Sequence, residues 1–340
     1  MYAEVPFWLS LVMVVGGFAA LAWSSDAFVD GAARVARALG ISPFIIGMVV
    51  IGFGTSAPEL CVSTMSGFSG HSNLSLGNAY GSCVFNISVI LGVAALIHPL
   101  VVCPSVSFFA TPVLAGISLF SLWVLRDGSC SRTEALILLA AFAVVMPAYC
   151  WYDQRMKKSG KKGEEADSGA RKAEKGGIGV AVAKLVVGLA VLVASSHFLV
   201  WGAVDLARFF GVSDLVIGLT VVAIGTSLPE LASAVASARR REHEFVLGNI
   251  VGSNIFNTLA VVGLACAISP VESFSPYVLT RDLPLVALLS LSILLFGVNF
   301  RKLKEPGVVS RLEGAVWIAV FAAYTAMMFF QETASNPPAP

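Results

Sequence analysis

A six-residue segment holding both a proline and a carboxylate occurs twice inside long apolar runs of this chain. The first copy is Gly54-Thr55-Ser56-Ala57-Pro58-Glu59, the second Gly225-Thr226-Ser227-Leu228-Pro229-Glu230. They lie 230 − 59 = 171 residues apart. The same offset, without a gap, aligns Ile46-Gly47 with Ile217-Gly218, Gly77-Asn78 with Gly248-Asn249, Gly81-Ser82 with Gly252-Ser253 and Phe85-Asn86 with Phe256-Asn257. The chain is an internal duplication. Its fold must accommodate a proline and a charge at the same place in both halves.

The solvent around those segments follows from the rest of the chain. Of 340 residues, 57% are hydrophobic and 13% charged, with a mean hydropathy of +0.83; soluble domains carry roughly a quarter charged residues. Apolar runs of about 20 residues recur throughout, as transmembrane helices require. The pattern predicts an all-α polytopic membrane protein with ten spans, near residues 6–29, 42–68, 74–97, 106–125, 133–151, 178–199, 215–238, 245–268, 283–300 and 312–330. The sixth can run on to Leu206. The first run lacks a basic leader and a small-residue cleavage site, so it reads as a retained helix. No basic-aromatic pattern points to nucleic acid. The six cysteines form no CxxC pair and read as packing residues.

The order of charge gives the organisation. Residues 1–152 form a first five-helix repeat, with its motifs in 42–97. Residues 153–176 are a charged linker of lysine, arginine, glutamate, glycine and serine. Residues 177–331 form the second repeat, with its motifs in 213–268, and 332–340 a disordered tail. With the N-terminus outside, the cytoplasmic loops carry Arg34, Arg37, the linker, Arg239, Arg240, Arg241, Arg301, Lys302, Lys304 and Arg311. The outer loops then carry only Arg126, Arg132, Arg208 and Arg281, so both termini are expected outside the cytoplasm. Five spans per half is an odd number, and the second copy therefore enters the membrane inverted. Inverted repeats place a substrate site at their interface near the bilayer midplane.

Glu59 and Glu230 carry the chemistry. A carboxylate at bilayer depth costs several kcal/mol unless partnered, and no lysine or arginine is predicted at the depth of these core helices. A bound cation is the evident counter-charge. Pro58 and Pro229 each remove a backbone donor and free a carbonyl one turn earlier, near Gly54 and Gly225, with Gly52 and Ala223 close by. Thr55, Ser56, Thr226 and Ser227 add hydroxyls beside the glutamates. Ser82 with Asn86, and Ser253 with Asn257, do so from partner helices at i, i+4 spacing. Gly77, Gly81, Gly248 and Gly252 form GxxxG patterns suited to close helix packing. Two charges among neutral oxygens favour alkali or alkaline-earth ions over zinc or copper. Ser56 is no hydrolase nucleophile, since the GxSxG elbow and a base histidine are absent. The histidines, Asp26, Asp205 and Asp214 read as interfacial or loop residues, and Glu242 and Glu244 as partners of the arginine cluster.

The paired GTSxPE and GNxxGS motifs resemble the α-repeats of the cation/Ca2+ exchanger superfamily, in particular its prokaryotic Na+/Ca2+ exchanger branch, over nearly the whole chain. The resemblance implies a ten-helix inverted-repeat antiporter of the plasma (inner) membrane, working by alternating access as a single chain. It implies Glu59 and Glu230 as carboxylates shared by Ca2+ and Na+, flanked by Asn86 and Asn257. Ser56, Ser82, Ser227, Ser253, Thr55 and Thr226, with the carbonyls of Gly52 and Ala223, would complete the ion shells. The first and sixth helices would slide against a core of the second, third, seventh and eighth. No resident cofactor is expected. Three positions depart from the pattern: Cys83 where the second copy has Asn254, Ala57 for the usual leucine, and Asn257 where some relatives have Asp. The cysteine is expected to lose a hydrogen bond made by its counterpart. The function expected is Ca2+/Na+ antiport, with H+-coupled, K+-coupled or Mg2+ variants and a cation channel as alternatives. An enzyme is not expected, because no nucleophile–base or metal–histidine constellation is visible.

Overall fold

In lipid, a backbone must satisfy its own hydrogen bonds, so each apolar run closes into a helix. The structure is a computed structural model that describes residues 6–68, 72–158, 177–210, 223–300, 302–303 and 305–335. Among these, ten helical segments run in order: α1 (Phe7–Leu39), α2a (Pro43–Thr55) with α2b (Ala57–Phe68), α3 (Ser72–Ile97), α4 (Val106–Val124), α5 (Arg132–Lys158), α6 (Ile178–Phe209), α7a (Ala223–Thr226) with α7b (Leu228–Arg239), α8 (His243–Ile268), α9 (Val278–Gly297) and α10 (Arg311–Ser335). Seven described helices are long and apolar enough to cross a bilayer, and the α2 pair, bent by 42° at its break, makes an eighth. The protein is an all-α polytopic membrane protein.

Two boundaries differ from expectation. Helix α5 runs to Lys158, six residues into the stretch read as linker; Asp153 is buried there and Arg155 lies over the Trp151 ring. Residues 159–176 lie outside the described residues. Helix α10 continues to Ser335, so 332–335 is helix and not disordered tail; Arg281 donates to Gln331 at 2.7 Å and pins the last turns. The start of the seventh span, from residue 215, falls in 211–222, outside the described residues. One feature has no sequence signal: β1 (Leu100–Val102) and β2 (Gly307–Val309) pair antiparallel in the connections between spans.

The helix ends sort into two sets. At one end Phe44 N donates to Glu244 (3.3 Å), Cys103 touches Glu244 (3.4 Å), Arg311 reaches the Leu96 carbonyl (3.1 Å), and the β1–β2 ribbon closes. At the other, Cys130 N donates to Val271 O (2.8 Å) and Phe274 N to Gly128 O (3.0 Å). Alternate loops meet, as repeated crossing of a layer demands. The two halves also interlock. Helix α1 packs on α6 and α4 on α9, while α5 packs on α8 and α10 on α3. This exchange of partners is what a pseudo-two-fold axis between the repeats produces.

Glycines weld α1 to α6. A Cβ on Gly31 would sit 2.5 Å from the Leu185 backbone nitrogen, and one on Gly188 2.7 Å from that of Phe28. Gly17 and Gly202 make the equivalent approaches, and the four are repeat mates: 188 − 17 = 171 and 202 − 31 = 171. The pair has its own apolar cluster, with Phe28, Ile46, Ile51, Leu192 and Phe245, apart from the main core. On the core side, Gly248 and Gly252 let α8 lie against the α2a backbone, whereas Gly77 and Gly81 meet no described atom within 4 Å. Close packing at GxxxG therefore holds for the second copy.

Candidate cation site

The breaks in α2 and α7 build the site. Ser56 (φ −83°, ψ 5°) and Ser227 (φ −92°, ψ 9°) leave helical geometry, and the next helix restarts with Leu60 N to Ser56 O and Leu231 N to Ser227 O, each 3.1 Å. Pro58 and Pro229 fit here because the first turn of a helix needs no N–H bond. Glu59 and Glu230 lie in those first turns, where the helix dipole favours negative charge. A serine at such a break ordinarily caps the helix with its hydroxyl. Ser227 makes no such bond. Its Oγ donates to Glu59 Oε1 at 3.0 Å, and Ser56 Oγ donates to Glu230 Oε1 at 2.8 Å. Each glutamate is thus held by the serine of the opposite repeat.

Both glutamates are fully buried. Thr226 flanks Glu59 and Thr55 flanks Glu230. Thr55 Oγ1 also donates to Ile51 O (2.9 Å). Ser82 Oγ lies 3.3 Å from Ser227 Oγ. Ser253 turns away, donating to Gly52 O at 3.4 Å. The Gly52 carbonyl also accepts Ser56 N at 3.1 Å. Of the carbonyls freed by proline, that of Gly225 accepts from Ser196 Oγ of α6 at 3.1 Å, so a neighbouring helix satisfies it. Ala223 is the first described residue of α7a, one turn before Ser227.

Asn86 and Asn257 complete the picture. Each begins or lies in a π-helical turn, Asn86–Ile90 and Phe256–Val261, inside an otherwise α-helical span. Such turns recur at functional sites. Among the described residues neither amide atom of either asparagine has a hydrogen-bond partner, and the same holds for Glu59 Oε2 and Glu230 Oε2. All are buried. Each unsatisfied buried group costs about 1–3 kcal/mol, more when charged. The uncompensated set contains four oxygens, two from each repeat. Among the described residues no three His, Cys, Asp or Glu side chains gather to hold a metal. Two carboxylates with neutral oxygens suit a hard cation, not a soft one.

Other expectations resolve differently. Cys83 keeps weak contacts in place of the lost amide: Sγ lies 3.8 Å from Asn254 O and 3.6 Å from Thr258 Oγ1. Cys83 and Asn254 are themselves repeat mates, 254 − 83 = 171, so their contact marks the pseudo-two-fold axis. Glu244 bonds Phe44 and Cys103 rather than the arginine cluster. Arg240 instead pairs with Asp26 and Asp30 of α1, both at 3.4 Å, and Lys184 of α6 joins Asp30 at 2.8 Å. Asp205 lies within α6 with one carboxylate oxygen buried, not in a loop. The His98 and His243 rings meet at 5.1 Å. His71 and Asp214 lie outside the described residues. Sequence reasoning assigned no role to Asn249 or Ser196, and apart from the position of Asn249 in the repeated motif nothing in the chain marks them.

Comparison with known proteins then decides the class. The family model for sodium/calcium exchanger proteins matches residues 9–150 and 180–330, nearly all of both halves. The chain belongs to the sodium/calcium exchanger family. It is similar to the putative antiporter CaxA of Alkalimonas amylolytica, 36% identical over 94% of this chain and 99% of that one. Inner membrane protein YrbG of Escherichia coli (strain K12) is 34% identical, over 95% and 97% of the two chains. A solved structure of the sodium-calcium exchanger NCX_Mj, soaked with Na+ and Sr2+, superimposes with a TM-score of 0.79 at 28% identity, over 94% of this chain and 99% of that one. As a member of the exchanger family, this protein is an integral membrane ion transporter of the calcium-exchanger class and not an enzyme.

Proposed function

We propose that this exchanger is a secondary antiporter that moves Ca2+ against Na+ by alternating access at one site built around Glu59 and Glu230. The observation that carries the reading is the reciprocal pair Ser56–Glu230 and Ser227–Glu59, with the free oxygens of both glutamates, Asn86 and Asn257 buried beside it. Two carboxylates balance one Ca2+ or two Na+ ions, so the two cargoes compete for the same oxygens. The hydroxyls of Ser56, Ser82, Ser227, Ser253, Thr55 and Thr226 are further ligands, as are the carbonyls of Gly52 and Ala223. Ser253 and Gly52 must first give up their mutual bond.

With no ion or proton bound, two facing carboxylates in a low-dielectric site oppose closure. That penalty forbids empty transit and couples the two fluxes. The welded α1–α6 pair moves as one body over the core. The basic end of the molecule faces the cytoplasm, with residues 153–176 on that side and both termini outside. All the oxygens come from one chain, so a single chain suffices.

The test is Ca2+ uptake into proteoliposomes holding the purified chain, with outward Na+, H+ or K+ gradients imposed one at a time. Uptake is expected with the Na+ gradient. Uptake that ignores Na+ and follows H+ or K+ reassigns the coupling ion. Ca2+ flow down its own gradient with no counter-ion marks a channel.

A further inference from the structure

Among the described residues the buried motif asparagines differ in their hydrogen bonding. Asn86 and Asn257 have both amide atoms unpartnered, and Asn254 bonds through Nδ2 with its Oδ1 unpartnered. Asn249 is 1% exposed and has partners at both amide atoms. Its Nδ2 donates to Ser233 Oγ (3.0 Å) and to the Glu230 carbonyl (3.4 Å). Its Oδ1 lies 3.3 Å from Thr55 Oγ1 and 3.5 Å from Ser253 Oγ, hydroxyls whose single protons are shared with the carbonyls of Ile51 and Gly52. Asn249 is thus packed among protein partners at both amide atoms.

Its partners lie on three helices, α2a, α7b and α8, and two of them bracket one contact. Thr55 is the neighbour of Ser56, the donor to Glu230 Oε1, and the Glu230 carbonyl belongs to the acceptor residue itself. Asn249 therefore grips both ends of the Ser56–Glu230 bond. Its repeat mate Asn78 is half-buried, and its described side-chain bond goes to Ser63 Oγ at 3.2 Å, away from the Ser227–Glu59 contact. The gripped bond is the shorter of the reciprocal pair, 2.8 against 3.0 Å.

We infer that Asn249 is a positioning residue that fixes Glu230 against α2, making the second repeat's half of the cation site the rigid half and tuning it for the divalent ion. The inference rests on the exchange reading above. Ca2+ takes six to eight oxygens and needs both carboxylates at one separation, whereas a monovalent ion is held with fewer constraints. Loosening Glu230 should weaken Ca2+ more than Na+.

The experiment is equilibrium Ca2+ binding to the purified full chain with Na+ as competitor, together with initial exchange rates in proteoliposomes. Asn249→Leu keeps the approximate volume and removes the amide's contacts; Ser233→Ala removes one acceptor and leaves the asparagine. Asn249→Leu is expected to raise the half-saturating Ca2+ concentration about tenfold and Ser233→Ala about threefold, in line with lost hydrogen bonds of ordinary strength. Half-saturation by Na+ should move less than Ca2+ in both, and Asn78→Leu should leave the Ca2+ to Na+ ratio unchanged. A merely architectural role would lower the folded fraction and maximal rate with that ratio intact, and this result overturns the inference. If Asn249→Leu does not fold, Ser233→Ala decides alone. Wild-type protein that binds no Na+-displaceable Ca2+ sinks the exchange reading itself, and the inference with it.

Discussion

Ser227 Oγ donates to Glu59 Oε1 at 3.0 Å although 168 residues separate them, and the serine is the break residue at the head of α7b. The hydroxyl that would cap its own helix holds the other repeat's carboxylate instead. Removing it leaves a buried carboxylate oxygen without a donor. Ser227→Ala and Ser56→Ala are each expected to raise the half-saturating Ca2+ concentration by about one to two orders of magnitude, as for a lost bond to a charged group. Initial rates of Ca2+ uptake at varied Ca2+ check this. The double variant should be less than additive if the two bonds shape one site.

The weld between α1 and α6 gives a stability prediction. Gly188→Val places branched carbons where even a single added Cβ would lie 2.7 Å from the Phe28 backbone nitrogen. The helices must separate, at about 1–3 kcal/mol or more for overpacking. The variant should melt at lower temperature in detergent and lose transport. Gly16→Val, at a position where a Cβ would meet no described atom within 4 Å, should do neither.

Ion removal gives a third. A cation that neutralises buried carboxylates binds only the folded chain and stabilises it. At about one hundred times its dissociation constant, Ca2+ should add about 2.7 kcal/mol. Thermal melting of the purified protein should therefore rise with Ca2+ and fall when a chelator is added. Glu230→Gln should abolish the difference.

How much the sequence reveals depends on which residue is asked about. Proline and glutamate inside apolar runs stand out anywhere, and their repetition at one offset marks both the duplication and the residues at its centre. The crossing of Ser56 to Glu230 and Ser227 to Glu59 is not legible, because the helix break that turns each serine outward is a tertiary outcome. The freed Gly225 carbonyl looks available until Ser196 arrives from α6. Gly17, Gly31, Gly188 and Gly202 look like ordinary membrane glycines until α1 and α6 are laid together. The π-helical turns at Asn86 and Asn257 leave no mark in composition, since they reflect one extra residue in a turn and not a residue type. Asp26 reads as an interfacial residue, and nothing near it in the chain points to its partner Arg240, which lies 214 residues away.

The central claim is that one glutamate from each repeat holds the same ion, and equilibrium Ca2+ binding to wild type, Glu59→Gln and Glu230→Gln tests it most directly. Each variant must first be shown folded by its elution volume and helical circular dichroism. The account predicts a single Na+-displaceable Ca2+ per wild-type chain and none in either variant. Ca2+ binding that survives in either variant with its affinity unchanged would mean that the two carboxylates do not share a site, and would contradict it.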